Sequence, residues 1–211
     1  MNAYPAALDE QLEPIPLDDM TEAGHEAAAF LTSKGYEVVS GLTPLYADQI
    51  SRLSHENSIC EYCPKDSKER FTNLDTTREW LSKGRAVYLL IYKQPDTANP
   101  ELAGYGWIGS KQTSMVPGGE TTFSLRVSEH HQGKGLAAPF SRCMLEAAEV
   151  TYGAHNMWLE TWASNAGAVH IYHKLGFHDV NQKQDERPSL QSLFVSDVRI
   201  YMDKSVDTED S

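Results

Sequence analysis

The sequence predicts an α/β protein, a mixed β-sheet with helices on both faces. Three observations carry that expectation. Strand-like and helix-like segments alternate along the chain. Their order runs from helices through a strand meander to strand–helix–strand–helix–strand. A glycine-rich turn, Gln132 to Ala137, stands between a strand and the longest helix.

The elements follow in order. Thr21–Ser33 is helix-like and ends before Gly35, and Tyr36–Ser40 reads as a strand. Thr43 suits an N-cap with Pro44 at the first helical position. The helix it opens, through His55, sets Leu45, Ile50 and Leu53 on its apolar face. Asn73 or Asp75 caps a helix through Leu81 that Gly84 stops. Strands are expected at Ala86–Tyr92, Leu102–Ser110 and Thr121–Val127, with Pro117-Gly118-Gly119 as the turn between the last two. Within Gly133–Tyr152 the longest helix carries Leu136, Phe140, Cys143, Met144 and Ala147 on one stripe. A strand, Trp158–Trp162, leads into a helix from Asn165 to Leu175, with Gly176 placed for a left-handed C-terminal turn. Asp197–Met202 is the last strand.

The 211 residues fit one medium domain. Residues 1–19, with three Pro and five acidic residues, read as a flexible arm, residues 20–205 as the domain, and residues 206–211 as a frayed acidic tail. A net charge of −12 argues against nucleic-acid binding, which needs a basic face. It is compatible with a cationic partner such as an amine, and equally with solubility alone. Three cysteines make no disulfide framework, no basic and apolar leader opens the chain, and no apolar run is long enough for a bilayer. The expectation is a soluble cytoplasmic protein without a membrane partner; a homodimer is compatible with it.

The turn Gln132-Gly133-Lys134-Gly135-Leu136-Ala137-Ala138 carries the most chemistry. A strand–glycine turn–helix junction presents free N–H groups and the positive end of a helix dipole, a site for phosphate or pyrophosphate. Glycine is needed where a side chain would hold the phosphate away from the backbone. A nucleotide P-loop is excluded because Gly135, not Ser or Thr, follows Lys134. The dinucleotide pattern is met only loosely, and the polar run Ser128–Gln132 separates it from its strand. Pro139 is tolerated if the helix starts near Leu136 or Ala137.

The form Gln-x-x-Gly-x-Ala resembles the pyrophosphate turn of the GNAT superfamily of N-acetyltransferases. About 30 residues on, Asn165, Ala168, Tyr172 and Leu175-Gly176-Phe177 resemble the second signature of that superfamily. The run Leu159–Asn165 is most similar to the ribosomal-protein N-terminal alanine acetyltransferases, which have Val-Arg where this chain has Thr161-Trp162. The resemblance covers roughly residues 121–178. It implies a mixed, mainly antiparallel twisted sheet flanked by helices, and direct transfer from acetyl-CoA, the acyl donor, to a primary amine, with no metal. It implies that Thr121–Val127 and Trp158–Trp162 splay apart around the pantetheine arm. Backbone groups of Leu125, Arg126 and Val127 then pair with pantetheine. Residues Gln132, Gly133, Lys134, Gly135, Leu136, Ala137 and Ala138 hold the pyrophosphate, with Asn165 also at the coenzyme site. Tyr172 matches the proton donor to the sulfur, and Glu160 the general base. Glu160 shares a strand face with Trp158 and Trp162, an environment expected to raise its pKa. Glu120 or a water chain are the alternatives.

Other motifs weigh less. Cys60-x-x-Cys63 lacks a second pair and a suitable histidine spacing for zinc. His130 and His131 read as solvated, and His170 with His173 as surface histidines. Tyr105 and Trp107 read as core or cleft wall. Two rival readings stand beside acetyl transfer. One is a non-catalytic acyl-CoA-binding module of the same fold, against which Tyr172 and a candidate base argue. The other is a thiol-redox protein using Cys60 and Cys63.

Overall fold

The structure, a computed structural model, describes residues 15–17, 19–93, 100–153, 156–189 and 194–204. The tail at 206–211 and most of the arm at 1–19 lie outside the described residues. In chain order the elements are β1 (Ile15–Pro16), α1 (Glu22–Ser33), β2 (Tyr36–Ser40), α2 (Pro44–Leu53), α3 (Asn57–Tyr62), a π-helical turn (Asp66–Arg70) and α4 (Leu74–Leu81). Then come β3 (Arg85–Tyr92), β4 (Glu101–Ser110), β5 (Thr121–Val127), a 3₁₀ turn (Glu129–His131), α5 (Ala137–Tyr152), β6 (Met157–Trp162), α6 (Ala166–Lys174), β7 (His178–Arg187) and β8 (Val195–Lys204).

Local chemistry sets the helix starts. Thr21, Thr43, Asn73 and Asn165 each accept a hydrogen bond from a backbone N–H of the first turn they cap. The stripe expected on α5 is buried throughout, from Leu136 to Ala147. Three expectations need correction. α2 ends at Leu53 rather than His55, and Tyr46 and Ala47 take the buried face while Leu45 is 49 % exposed. α3 and the π-helical turn were not expected, since six and five residues are too few to display a helical period. β7 was also missed; it is an edge strand, exposed along nearly all its length, so no apolar alternation marks it.

Among the described residues the sheet has eight strands in the order β1-β2-β3-β4-β5-β6-β8-β7. Every pairing is antiparallel except β5 with β6, which α5 connects as a crossover. The apolar run in β3 is buried on both faces: Ala86, Tyr88 and Leu90 pack with α1 and α5, while Val87, Leu89 and Ile91 pack with α2 and α4. Among the described residues no helix is long and apolar enough to cross a membrane.

The parallel pairing is short. Thr121 opposes Met157 and Thr122 opposes Trp158, and there the ladder stops. Beyond it β5 continues along β4 and β6 along β8, leaving a gap in the middle of the sheet. The same run of β5 leads to the glycine turn, so the gap opens toward it.

Candidate active site

The turn after β5 is fixed before it reaches the glycines. His131, expected to be solvated, is buried, 2.8 Å from the Tyr36 hydroxyl through Nδ1 and 3.1 Å from Glu101 through Nε2. Gln132 Nε2 donates to the Val127 carbonyl at 3.0 Å and to Ser58 Oγ at 3.2 Å. Gly133 and Gly135 have φ of 72° and 74°, the left-handed region that favours glycine, and a Cβ on either would point into open space. Among the described residues the N–H groups of residues 133–136 find no backbone acceptor. α5, the longest helix, starts at Ala137 without a side-chain cap. Pro139 falls third in that helix, where the N–H it lacks would be unpaired anyway. A row of free donors at a helix N-terminus is a seat for an anion.

The β5 edge of the gap follows from strand alternation. A Cβ on Gly104 would stand 2.7 Å from the Arg126 carbonyl oxygen, and one on Gly106 2.7 Å from that of Ser124, so both carbonyls face β4. The backbone groups of Leu125 and Val127 therefore face the gap. This corrects the expectation for Arg126, whose backbone is committed to the sheet. Arg126 Nη1 donates to the Leu125 carbonyl at 2.7 Å, and Gln132 covers that of Val127. The gap edge is left with N–H donors.

The Arg126 side chain crosses to the π-helical turn. Its Nε lies 2.7 Å from Asp66 Oδ2, while Arg70 Nη1 holds Asp66 Oδ1 at 3.0 Å and the Tyr105 hydroxyl donates to Oδ2 at 3.4 Å. Asp66 is fully buried. Burial disfavours the Arg126 charge, and the Asp66 carboxylate together with Cys63, Tyr105 and Tyr172 more than offsets it, so the guanidinium is held protonated beyond its ordinary range. Burial, reinforced by Asp66, pushes the Tyr105 hydroxyl well up. Nearby, the Trp162 indole donates to the Tyr62 carbonyl at 3.0 Å. The Glu56 carboxylate accepts from Ser128 Oγ and the Glu129 N–H, both at 2.7 Å. The segment from Glu56 to Arg70 thus grips β5 on one side of the gap and β6 on the other.

Tyr172 and Glu160 line the same cleft, about 860 Å³ in volume. Tyr172 sits on α6 with its ring edge-on to Phe123 and Phe177. Burial pushes its hydroxyl up to about 12, with Arg126 opposing and Cys63 adding. Asn165 lines the cleft too, and its side chain caps α6. Glu160 shares the face of Trp158 and Trp162, as the alternation suggested, but is not buried there. Its side chain is 36 % exposed and its Oε1 lies 3.1 Å from Arg199 Nη1. Arg199 stacks over Trp162 at 4.1 Å, and its Nε lies 3.3 Å from Asp185. Glu120 and Lys134 are not among the cleft-lining residues. Lys134 Nζ lies 3.5 Å from His131 Nδ1. Leu125, Val127, Gln132, Gly133 and Gly135 to Ala138 all line the cleft.

Comparison with known proteins agrees with this geometry. The acetyltransferase (GNAT) domain matches residues 40–178. The chain belongs to the GNAT acetyltransferase family. It is 32 % identical over 79 residues to the ribosomal protein bS18-alanine N-acetyltransferase of Salmonella typhimurium, a match covering 37 % of this chain and 53 % of that protein. The chain thus spans about half the length of the curated relatives it matches. The fold resembles that of yncA from Salmonella typhimurium with its cofactor acetyl-CoA, at TM-score 0.60, 19 % identity, 84 % of this chain and 97 % of that one. It also resembles spermidine N-acetyltransferase from Vibrio cholerae in complex with CoA and spermine, at TM-score 0.60, 19 % identity, 80 % of this chain and 95 % of that one.

The cleft also holds Tyr62, Trp80, Arg85, Lys111 and Arg199, which sequence reasoning passed over, and Cys63, which it weighed only as part of a zinc or redox motif. Behind them lies Asp66, for which a signal existed. Arg126 stands inside a strand on the face of Tyr105 and Trp107, and a buried arginine demands a buried partner. Nothing local says where that partner lies. The three cysteines are free. Burial pushes the Cys63 thiol up to about 11, which opposes the thiolate that redox chemistry needs.

The Asp66–Arg126 pair yields a stability prediction. Asp66→Asn leaves two guanidinium groups facing a neutral amide in a buried setting and should destabilise the fold by about 3–5 kcal/mol. Urea unfolding measures it, and a loss below about 1 kcal/mol would show that the pair does not hold the strands in place.

Proposed function

We propose that this GNAT protein transfers the acetyl group of acetyl-CoA to a primary amine by direct attack within a ternary complex. The carrying observation is the interrupted β5–β6 ladder, with Tyr172 and Glu160 in one cleft and an uncapped glycine turn at its open end. The gap suits an extended amide-bearing arm, whose carbonyls would accept from the N–H groups of Leu125 and Val127. The N–H groups from Gly133 to Ala138 would hold the pyrophosphate. In this reading the protein works in the cytoplasm and needs no metal.

When bound, acetyl-CoA supplies an acetyl thioester. A neutral amine nitrogen forms the bond to the acetyl carbon, the carbon–sulfur bond breaks, and the nitrogen gives up one proton. Glu160 has one carboxylate oxygen on Arg199 and the other without a partner among the described residues, and that second oxygen takes the proton directly or through water. Tyr172 serves the sulfur. A thiol, with pKa about 8.5, is a much stronger acid than a hydroxyl at about 12. Tyr172 therefore keeps its proton and donates a hydrogen bond that stabilises the departing thiolate.

The direct test is thiol release from acetyl-CoA across polyamines, amino acids, aminoglycosides and peptides with a free N-terminus. At least one class should turn over, and coenzyme binding without turnover on any of them would overturn the activity. Gly135→Val should weaken acetyl-CoA binding in calorimetry while the protein stays folded, because it combines a strained φ with a side chain on the anion seat. Unchanged affinity would remove the turn from the site.

The two side chains separate kinetically. Tyr172→Phe should lower kcat by about 10²–10³ with little change in acetyl-CoA affinity. Because the hydroxyl is shifted upward, the wild-type enzyme should show no alkaline fall up to pH 10 that disappears in Tyr172→Phe. Glu160→Gln should flatten the acidic limb of kcat/KM and lower its plateau. Retained wild-type kcat in either variant would dismiss the role given to that residue.

A further inference from the structure

One half of the cleft has a charge opposite to that of the molecule. The chain carries 30 acidic and 18 basic residues, yet Lys65, Arg70, Arg85, Lys111 and Arg199 all line this half. Strand alternation puts Arg85 on the face of Val87 and Leu89, and Lys111 on the face of Trp107, away from α5 and α6. Arg70 is the one nearest a carboxylate in the wall, Asp66 at 3.0 Å, and Arg199 holds Glu160 and Asp185. Lys65, Arg85 and Lys111 have no carboxylate at ion-pair distance among the described residues.

These charges are fixed in position. Arg85 donates to the Trp80 carbonyl at 2.6 Å and lies 3.7 Å over the Trp80 ring, which Arg70 also approaches at 4.7 Å. Lys111 lies 5.0 Å over Trp158. The buried Trp80 Nε1 has no acceptor among the described residues. Partial desolvation by the cleft wall holds the pKa of the exposed Lys111 ammonium down, Glu160 opposes that, and Arg70, Lys65 and Arg199 add to it. Arg85 is shifted down likewise, by burial and then by Arg70. Crowded like charges beside an unpaired donor describe an anion site whose anion comes from outside the chain.

The coenzyme phosphates do not account for it. Arg85 pairs with Gly109, and Gly109 with Thr122, at the closed end of the gap. The glycine turn follows Val127 at the other end. The intervening rise along β5 is about 17 Å, at 3.3–3.4 Å per residue over five residues.

We infer that the amine acceptor carries an anionic group, a carboxylate or a phosphate, that docks on Arg85, Lys111 and Arg70 beside Trp80. The inference rests on the acetyl-transfer reading and names a substrate class for that cleft. Net charge alone left open a cationic partner or mere solubility; the charge inside the cleft favours an anionic group on the acceptor. Arginine fits either group, since its planar fork matches carboxylate and phosphate oxygens.

Matched pairs test it on the full-length protein loaded with CoA. One arm compares amino acids with the amines left by removing the carboxylate, and the other compares phosphoethanolamine with ethanolamine. Calorimetry should find the anionic member of at least one arm bound about tenfold tighter or more, with the preference shrinking as salt rises. The arm that responds identifies the anion. Lys111→Glu and Arg85→Glu should reverse the preference, and Lys111→Met should reduce it; Lys111 is exposed, so its variants do not disturb the core. Equal or weaker binding of the anionic members, or equal losses for both members in Lys111→Glu, would overturn the inference. Thiol release from acetyl-CoA is read in parallel. Turnover that favours the uncharged-tail amines sinks this inference alone, whereas anion preference without any turnover sinks acetyl transfer and leaves the anion site standing.

Discussion

The Asp66–Arg126 pair is the constraint on which the site depends. Two adjacent parallel strands gain by zipping together, each ladder hydrogen bond contributing about 0.5–1.5 kcal/mol net. β5 and β6 forgo that gain beyond Thr122 and Trp158. Something must hold them apart, and the segment from Glu56 to Arg70 does so from one face. It takes Arg126 from β5 through a buried ion pair and Trp162 from β6 through a backbone carbonyl. Losing one partner of such a buried pair costs about 3–5 kcal/mol, comparable with what several ladder bonds contribute. The tether is therefore of the size needed to offset the tendency of the ladder to close.

The same side chains decide what the opened edge offers. Carbonyls and N–H groups alternate along any strand edge, but here the Leu125 and Val127 carbonyls are covered by Arg126 and Gln132. The edge becomes one of donors, continuous in character with the uncapped start of α5. An extended arm ending in a pyrophosphate needs acceptor-binding groups first and anion-binding groups second. One strand and the turn that follows it supply both.

Much of this was legible in the sequence because it is local. The Gly133–Gly135 turn, the α5 stripe, the Thr and Asn caps and the Leu175-Gly176 stop each depend on residues a few positions apart, and each formed where expected. What escaped is non-local. Asp66 lies 60 residues from Arg126, in a five-residue turn with no period of its own. β7 carries its pairing in the backbone and almost nothing in its side-chain pattern. Alternation did place Glu160 on the face of Trp158 and Trp162. It could not reveal that Arg199, from β8, would meet the carboxylate there. Net charge is silent on the acceptor for a related reason: it sums over a whole surface, while recognition responds to the field inside one cleft.

The sheet finally divides the candidate site between its two faces. α5 and α6 with Tyr172 occupy one face; Trp80, Trp107, Arg85 and Lys111 line the cleft on the other. A sheet normally keeps such faces apart, because its ladder leaves no passage. Here the passage is the unpaired stretch between β5 and β6, closed at one end by the Thr121–Met157 and Thr122–Trp158 pairs. In the proposed reaction a thioester advancing along that stretch from the glycine turn is stopped at the closed end. An amine held by its anionic group beside Arg85 reaches the same end from the opposite face. The two bound pairs of the ladder therefore fix where the nitrogen and the acetyl carbon meet. Tyr172 on one side and Glu160 on the other then serve the two atoms whose charge changes as the bonds exchange.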